Sequence, residues 1–121
     1  MSFKDKIFEP SFVPKGWGGE IIPVNKKEYC GKVLIFNKGK KCSFHRHFKD
    51  ENFFLFKGRL ILRISEEDDL NTAEEFILEE GQCYYIYPNL VHQMEGLADV
   101  SYLIEYSTQD TDESIRIVKG D

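Results

Sequence analysis

The chain has 121 residues, 41% of them hydrophobic, and a formal net charge of −5 at pH 7. This length predicts one domain, and the negative charge, which no basic cluster offsets, argues against nucleic acid as a partner. No apolar run has the length of a signal-peptide core or a membrane span, so we expect a cytoplasmic protein with no membrane partner. Cys30, Cys42 and Cys83 are odd in number and widely spaced, which favours reduced thiols over a disulfide framework.

The N-terminal residues 1–25 are predicted to form an arm and a first strand, and residues 26–121 to form the main barrel. Residues 1–16 read as irregular because prolines and a glycine interrupt them. Residues 110–121 are expected to form a short strand or an ordered tail. Between these ends, strands are predicted at 29–37, 43–48, 52–57, 59–65, 74–79, 83–87, 91–95 and 99–107.

The hydrophobic pattern indicates an all-β fold. Residues 33–36 are apolar on both faces, as expected for a strand enclosed in a barrel, and no long stretch shows the 3.6-residue period of a helix. The acidic segment 66–71 is interpreted as a solvated hairpin loop rather than a calcium site. Many short strands separated by glycine and proline turns predict a closed jelly-roll barrel.

Four side chains form a candidate metal site. His45 and His47 are two residues apart, so on one strand both point to the same face. Glu51 follows at the start of the next strand, where its carboxylate can reach a metal held by that pair. His92 is the one remaining histidine, and a closed roll can bring its strand beside theirs. Three imidazoles and one carboxylate suit one divalent ion of Mn, Fe, Ni, Co, Cu or Zn.

Two segments resemble the paired sequence motifs of the cupin superfamily. Residues 39–58 match the first motif at full length: a glycine, five residues, His-x-His, three residues, a glutamate, six residues and a glycine. Residues 81–92 resemble the second motif and retain its histidine. This second match is degenerate, since Tyr87 stands where the motif has proline, Asn89 where it has glycine, and Gly96 where it has asparagine. The resemblance implies the cupin double-stranded β-helix and a bound metal.

A closer resemblance is to the cupin domain of type II mannose-6-phosphate isomerases and their short, stand-alone relatives. It runs from Pro14 to the C-terminus and implies a metal-dependent aldose–ketose isomerase of sugar phosphates. Such an enzyme stabilises an enediolate and moves a proton between C1 and C2. The segments that carry the resemblance are 14–20, 29–33, 103–107 and 112–116.

The isomerase resemblance assigns roles to residues outside the metal site. Glu105 is the candidate catalytic base, while Lys32 and Arg116 are candidates for binding an anionic substrate group. The alternative is that Lys32 and Arg116 are solvated surface charges and that Glu105 points outside the barrel. Tyr85 is a further substrate-binding candidate.

The inward positions of the barrel are expected to line a largely apolar cavity. Parity alone does not decide which aromatic residue of a neighbouring pair faces inward. Cys42 lies near the histidine strand and is interpreted as a small core residue rather than a cavity residue. The lining candidates are Phe44, Phe48 or Phe54, Tyr84 or Tyr85, and Met94.

Two other functions remain open at this point. The same ligand set serves cupin dioxygenases, in which Fe(II) binds substrate and oxygen, and a non-catalytic cupin that binds a metal or small ligand is the third hypothesis. A homodimer is also expected, because a barrel this small exposes sheet edges. Residues 1–25 are the segment proposed to pair with the neighbour.

Overall fold

The computed structural model describes residues 2–121 and contains two facing antiparallel sheets. Short 3₁₀ turns lie at Phe3–Lys6 and Leu70–Thr72. Within the described residues, no helix has the length and apolarity to cross a membrane. The strands are β1 (Ser11–Lys15), β2 (Gly18–Asn25), β3 (Cys30–Asn37), β4 (Phe44–His47), β5 (Glu51–Lys57), β6 (Arg59–Ser65), β7 (Glu74–Glu79), β8 (Cys83–Ile86), β9 (Val91–Gly96), β10 (Val100–Ser107) and β11 (Ser114–Val118).

The chain crosses repeatedly from one sheet to the other. The first sheet has the strand order β1-β2-β3-β10-β5-β8, and the second has the order β11-β4-β9-β6-β7. Every strand pair is antiparallel, and β3, β4, β5 and β6 alternate between the sheets. This arrangement confirms the prediction of an all-β jelly roll.

The core lies between the sheets and follows the two-residue period of the strands. In β3 the buried positions Leu34 and Phe36 alternate with the half-buried Val33 and Ile35. Leu103 on β10 is opposite Leu34 and is fully buried. Because successive side chains point to opposite faces, one set fills the barrel and the other lies on its outer surface.

The structure corrects the prediction for one end of the chain and decides between the two predictions for the other. Residues 11–15, expected to be irregular, form β1 at the edge of the first sheet, where Pro14 pairs with Gly19. An edge strand accepts proline because one of its sides has no partner strand that needs its N–H. The C-terminal segment forms β11, which pairs with β4 and so places residues 114–118 beside the histidine strand.

Candidate metal centre

Three strands bring the predicted metal ligands together. His45 and His47 lie on β4, and His45 is directly opposite His92 on β9. Glu51 is the first residue of β5, in the facing sheet. The short connection between β4 and β5 crosses from one sheet to the other, so the carboxylate approaches the imidazoles from across the barrel.

The four side chains converge at one point inside the barrel. Nitrogen atoms of His45, His47 and His92 all lie within 4.8 Å of one another. Glu51 Oε2 is 3.3 Å from His47 Nε2 and 3.5 Å from His92 Nε2. Glu51 and His92 are only 2% and 1% exposed. The site is therefore enclosed, and its donor atoms point to a common centre.

Backbone carbonyls fix the tautomers of two of the rings. His45 Nδ1 lies 2.8 Å from the Ser43 carbonyl oxygen, and His92 Nδ1 lies 2.8 Å from the Leu90 carbonyl oxygen. Since a carbonyl oxygen only accepts, each Nδ1 carries the hydrogen. The Nε2 lone pairs are then free for a metal, which is the way second partners usually orient histidine ligands.

Unpaired polar atoms also indicate a cation at this point. Among the described residues, His47 Nδ1 and Glu51 Oε2 are buried side-chain atoms without a hydrogen-bond partner. A buried carboxylate oxygen without a donor is costly unless a positive charge compensates it. Three imidazole nitrogens and one carboxylate oxygen form a set that fits a divalent transition metal.

The imidazoles are in the protonation state that metal binding needs. Burial, followed by the positive charge of Lys49, lowers the pKa of His47 to about 4. Burial also lowers the pKa of His45, and it lowers that of His92 well below its ordinary value. All three rings are therefore neutral at pH 7, and a metal does not have to displace protons from them.

A buried lysine links the metal centre to a second carboxylate. Lys49 Nζ donates to Glu105 Oε2 at 2.8 Å and lies 3.4 Å from Glu51 Oε1 and 3.5 Å from Asp110 Oδ2. Sequence reasoning missed Lys49, although its position between His47 and Glu51 was a usable signal. Burial lowers the pKa of Lys49, but Glu105 and the other carboxylates outweigh burial and raise it above its ordinary value.

The two glutamates differ in electrostatic environment. Burial and the Glu105 charge raise the pKa of Glu51 well above its ordinary value, against the opposing effect of Lys49. Burial also pushes the pKa of Glu105 upward, but the Lys49 ammonium and its hydrogen bond outweigh burial and hold that pKa below its ordinary value. Glu105 is therefore an ionised carboxylate facing the interior, beside the metal centre.

Lys32 belongs to the same buried network and is not a solvated surface charge. It lies opposite Glu105 on β3, and its ammonium pairs with Asp110 and lies 3.7 Å from Glu20 Oε1. Asp110 is held by backbone-to-side-chain hydrogen bonds exchanged with Asn25. Burial raises the pKa of Asp110, but the hydrogen bonds from Lys32 and from the Asp112 backbone, together with the charges of Lys49 and Lys32, outweigh burial and lower it.

A cavity of about 310 Å³ opens onto the metal centre. Besides the four predicted ligands, Lys32, Glu105 and Arg116 line it. Arg116 is exposed on β11, opposite His45. Tyr85 is not among the lining residues, because it lies half exposed on the outer face of β8.

The apolar part of the lining differs from the predicted set. Met94 lines the cavity, whereas the five aromatic candidates do not. Their places are taken by Trp17, Phe36 and Phe53, and Trp17 stacks on Phe36 at a centroid distance of 4.5 Å. The sequence could have identified Phe53, since it follows Glu51 by two residues and therefore points to the same side of the strand. The aromatic candidates that lie elsewhere are Phe44, Phe48, Phe54, Tyr84 and Tyr85.

The cysteines take no part in ligating the predicted metal. Cys30 and Cys42 are buried, Cys83 is exposed, and all three are free thiols. Cys42 belongs to the hydrophobic core and also borders the cavity. Burial raises the pKa of its thiol to about 12, so Cys42 is protonated at neutral pH and behaves as a small apolar residue.

Sequence relatives include two sugar isomerases. The chain is 27% identical over 115 residues to the D-lyxose/D-mannose isomerase of Thermosediminibacter oceani, covering 78% of this chain and 64% of that protein. It is 28% identical over 114 residues to the D-lyxose ketol-isomerase of a Thermofilum species, covering 77% and 63%. The chain thus spans less than two thirds of the length of either relative. No known protein-family profile matches the chain.

Two solved structures with this fold belong to longer proteins. The capsular polysaccharide assembling protein CapF of Staphylococcus aureus superposes with a TM-score of 0.78 at 17% identity, over 96% of this chain and 36% of CapF. Oxalate decarboxylase of Bacillus subtilis gives a TM-score of 0.77 at 15% identity, over 96% of this chain and 31% of that enzyme. The likeness confirms the predicted cupin double-stranded β-helix. The support for a divalent metal site comes from the three-histidine group itself.

Proposed function

We propose that the chain is a metal-dependent aldose–ketose isomerase of sugars. The observation that carries the proposal is the ionised Glu105 carboxylate, buried beside a three-histidine, one-glutamate centre in a single cavity. Isomerisation of this kind needs one group that moves a proton and one cation that polarises the substrate. The sugar-isomerase names of both sequence relatives support the same reaction class.

Two groups of residues would have different roles, one holding the metal and the other moving the proton. His45, His47, Glu51 and His92 would hold one divalent ion, which supplies Lewis acidity to the carbonyl and the neighbouring hydroxyl of a bound sugar. Glu105 would take the proton from C2 of the aldose and return it to C1, while the hydroxyl proton on O2 passes to O1, giving the ketose. The lowered pKa of Glu105 keeps it ionised and able to accept that proton.

Lys49 would keep the proton-moving carboxylate in place. Its ammonium donates to Glu105 Oε2 at 2.8 Å and so fixes the position of that carboxylate. In the low-dielectric interior it also balances the charge of Glu105 and Glu51. The proton that Glu105 carries can exchange with solvent before it returns to the sugar, so the transfer should leave solvent deuterium at C1 or C2.

The charges of the cavity favour an unphosphorylated sugar over a sugar phosphate. Lys32 and Lys49 are already paired with buried or partly buried carboxylates, which leaves neither ammonium free for a phosphate. Arg116 is the remaining predicted anion-binding residue, and it lies among acidic neighbours at Asp112 and Glu113 in the lining. We therefore propose D-lyxose or D-mannose as first substrates, with the phosphate ester as the alternative that Arg116 would bind.

Solvent deuterium incorporation, followed by NMR, tests the proposal. The protein is loaded in turn with Mn, Fe, Co, Ni or Zn and incubated in deuterium oxide with D-lyxose, D-mannose, mannose 6-phosphate or fructose 6-phosphate. We expect deuterium at C1 or C2 of the free sugars with at least one metal. The exchange should vanish in His92→Ala and persist in Arg59→Gln, a change on the outer face of β6.

The other outcomes separate the remaining hypotheses. Exchange confined to the phosphate esters, and lost in Arg116→Gln, would restore the sugar-phosphate assignment. No exchange with any metal or sugar would contradict an isomerase. Substrate-dependent oxygen uptake by the Fe(II) protein would then indicate a dioxygenase, whereas ligand binding without turnover would indicate a binding protein.

A further inference from the structure

A second cavity, of about 550 Å³, lies where the two sheets end and shares no lining residue with the cavity at the metal centre. Strand β7 is the last strand of the second sheet and β8 is the last strand of the first, and within the described part of the chain no pairing joins them. Here the term edge cavity means the space at this opening that is bordered by Glu66, Glu74, Phe76, Tyr84, Tyr87 and Leu90.

The walls of the edge cavity are apolar and aromatic. Ile64, Phe76 and Tyr84 pack against the hydrophobic core but are only partly buried. The rings of Phe76 and Tyr84 lie 5.3 Å apart between centroids, at an angle of 46°. Leu90, which is 5% exposed, adds aliphatic surface. The cavity therefore offers two ring systems and an apolar wall to a ligand that carries a hydrocarbon group.

Glu74 places a carboxylate on the inward side of β7. Because successive side chains of a strand point to opposite faces, Glu74 shares its side with Phe76 and with the buried Leu78. It lies opposite Ile64 of β6. Burial, followed by the charge of Glu74, raises the pKa of the Tyr84 hydroxyl, so this negative charge acts on the aromatic wall.

A second carboxylate stands at the rim of the edge cavity. The Tyr87 hydroxyl donates to Glu66 Oε1 at 2.9 Å and holds this carboxylate beside a third aromatic ring. Among the described residues, neither Glu66 nor Glu74 forms an ion pair, and no Lys, Arg or His lines the cavity. The hydroxyl hydrogens of Ser65 and Thr72 are taken up by internal hydrogen bonds. The edge cavity therefore carries uncompensated negative charge.

We propose that the edge cavity binds a small organic cation of the substituted-ammonium class. Aromatic faces attract such a cation through the ring quadrupole, and the two carboxylates add Coulomb attraction. A hydrocarbon group on the nitrogen would lie against the apolar wall. An inorganic cation such as Ca²⁺ or Mg²⁺ fits less well, because aromatic and aliphatic walls cannot supply the oxygen ligands that it requires. The proposal is independent of sugar isomerisation, since the two cavities share no residue.

Calorimetry and NMR on the metal-loaded, full-length protein test the proposal, in a buffer whose only cation is sodium. The probes are benzyltrimethylammonium, choline and 3,3-dimethylbutan-1-ol, which is neutral and has the shape of choline. We expect one benzyltrimethylammonium per chain with a dissociation constant below about 1 mM. Choline should bind more weakly, and the neutral alcohol at least about tenfold more weakly than choline. The N-methyl protons should show nuclear Overhauser effects to the rings of Phe76 and Tyr84.

Paired variants separate the carboxylates of the edge cavity from negative charge in general. Glu66→Gln combined with Glu74→Gln should weaken benzyltrimethylammonium binding by at least about tenfold. Glu67→Gln combined with Glu75→Gln changes the net charge equally at neighbouring positions outside the lining, and it should bind within about twofold of the wild type. All four side chains are exposed, so these changes preserve folding.

Two further variants identify the rings and the cavity. Phe76→Leu keeps an apolar side chain but removes an aromatic face, and it should weaken binding by about threefold or more. Glu113→Gln, in the lining of the metal-centre cavity, should have no effect. Absence of binding up to about 10 mM benzyltrimethylammonium would overturn the proposal. Equal binding of choline and the neutral alcohol would also overturn it, and so would equal binding by the two paired variants.

Discussion

The two ends of the barrel interior are built by the same strands and have opposite chemistry. On β5 the inward residue Glu51 is followed two positions later by Phe53, and on β10 Glu105 follows the inward Leu103. On β9 the buried His92 precedes the buried Met94. One end is therefore a polar centre and the other an apolar core, and the change occurs between adjacent inward positions of the same strand.

The difference shows what a charged interior requires. The apolar core needs only matching shapes, because the transfer of apolar side chains out of water is itself favourable. The polar end holds Glu51, Glu105 and Lys49 nearly out of contact with water, which is unfavourable unless each charge has a partner. One carboxylate oxygen of Glu51 still lacks a donor, and that deficit is where a cation belongs.

Removing one imidazole should have the largest effect, and only on the polar end. His92→Ala deletes the ligand opposite His45 and should reduce bound metal from one ion per chain to none. The measurement is metal content by plasma mass spectrometry after loading and gel filtration. Gln93→Ala is the neighbouring control on the same strand, and it should keep its metal. Full metal content in His92→Ala would refute the ligand assignment.

Glu105→Gln should separate chemistry from metal binding. The amide keeps the shape of the side chain but cannot accept the proton from the sugar, so we expect solvent exchange to slow by about 10²- to 10⁴-fold. Metal content should remain at one ion per chain, because Glu105 is not placed among the ligands. Exchange at the wild-type rate would remove Glu105 from the proposed mechanism, and loss of metal would make it part of the centre.

Replacing the buried lysine should test how far its positive charge compensates the buried carboxylates of the polar end. Lys49→Met leaves Glu51 and Glu105 facing each other without their shared cation, and removing one partner of a buried pair typically destabilises by about 3–5 kcal/mol. Denaturant unfolding of the metal-free protein measures this loss. A bound divalent ion would compensate part of the charge, so the loss should be smaller in the metal-loaded protein. Lys40→Met, at an exposed turn, is the control.

A truncation in the apolar core should have the complementary result. Leu103→Ala removes a fully buried side chain and should reduce the free energy of unfolding by about 2–5 kcal/mol. Metal stoichiometry should not change, because Leu103 lies outside the ligand set. A loss of metal in this variant would show that the two ends of the barrel are not independent.

Sequence patterns predicted the apolar core and the histidines better than the charged network. His-x-His on one strand and a single remaining histidine left few arrangements open, and two-residue alternation located most strands. Lys49 and Asp110 were missed because their significance depends on which strands become neighbours. Strand β10 had to be placed between β3 and β5 before Lys32, Glu105 and Lys49 met. The side-chain direction of Tyr85 was equally hard to predict, because the sequence of a short strand does not show which alternate residues face the barrel interior.

The smallest expected effect is the number of protons released when the metal binds. This number distinguishes the protonation states of the four ligands. With ordinary histidine pKa values near 6.5, three rings would release roughly two protons at pH 6 when a metal binds. Burial lowers all three pKa values, that of His47 to about 4 and that of His92 well below its ordinary value, so the rings carry fewer protons at pH 6 than ordinary histidines would. Glu51 is the exception, because burial and Glu105 raise its pKa and favour a proton that the metal must displace.

We therefore expect release of at most about one proton at pH 6, and a metal affinity that falls no more than about tenfold from pH 7 to pH 6. Calorimetry in buffers of different ionisation enthalpy measures the number directly. In Glu51→Gln, binding should be weaker and the release should approach zero, whereas Glu95→Gln on the outer face should match the wild type. Release of two or more protons would mean that the histidines titrate near their ordinary pKa and that the centre is more open to water than its burial indicates.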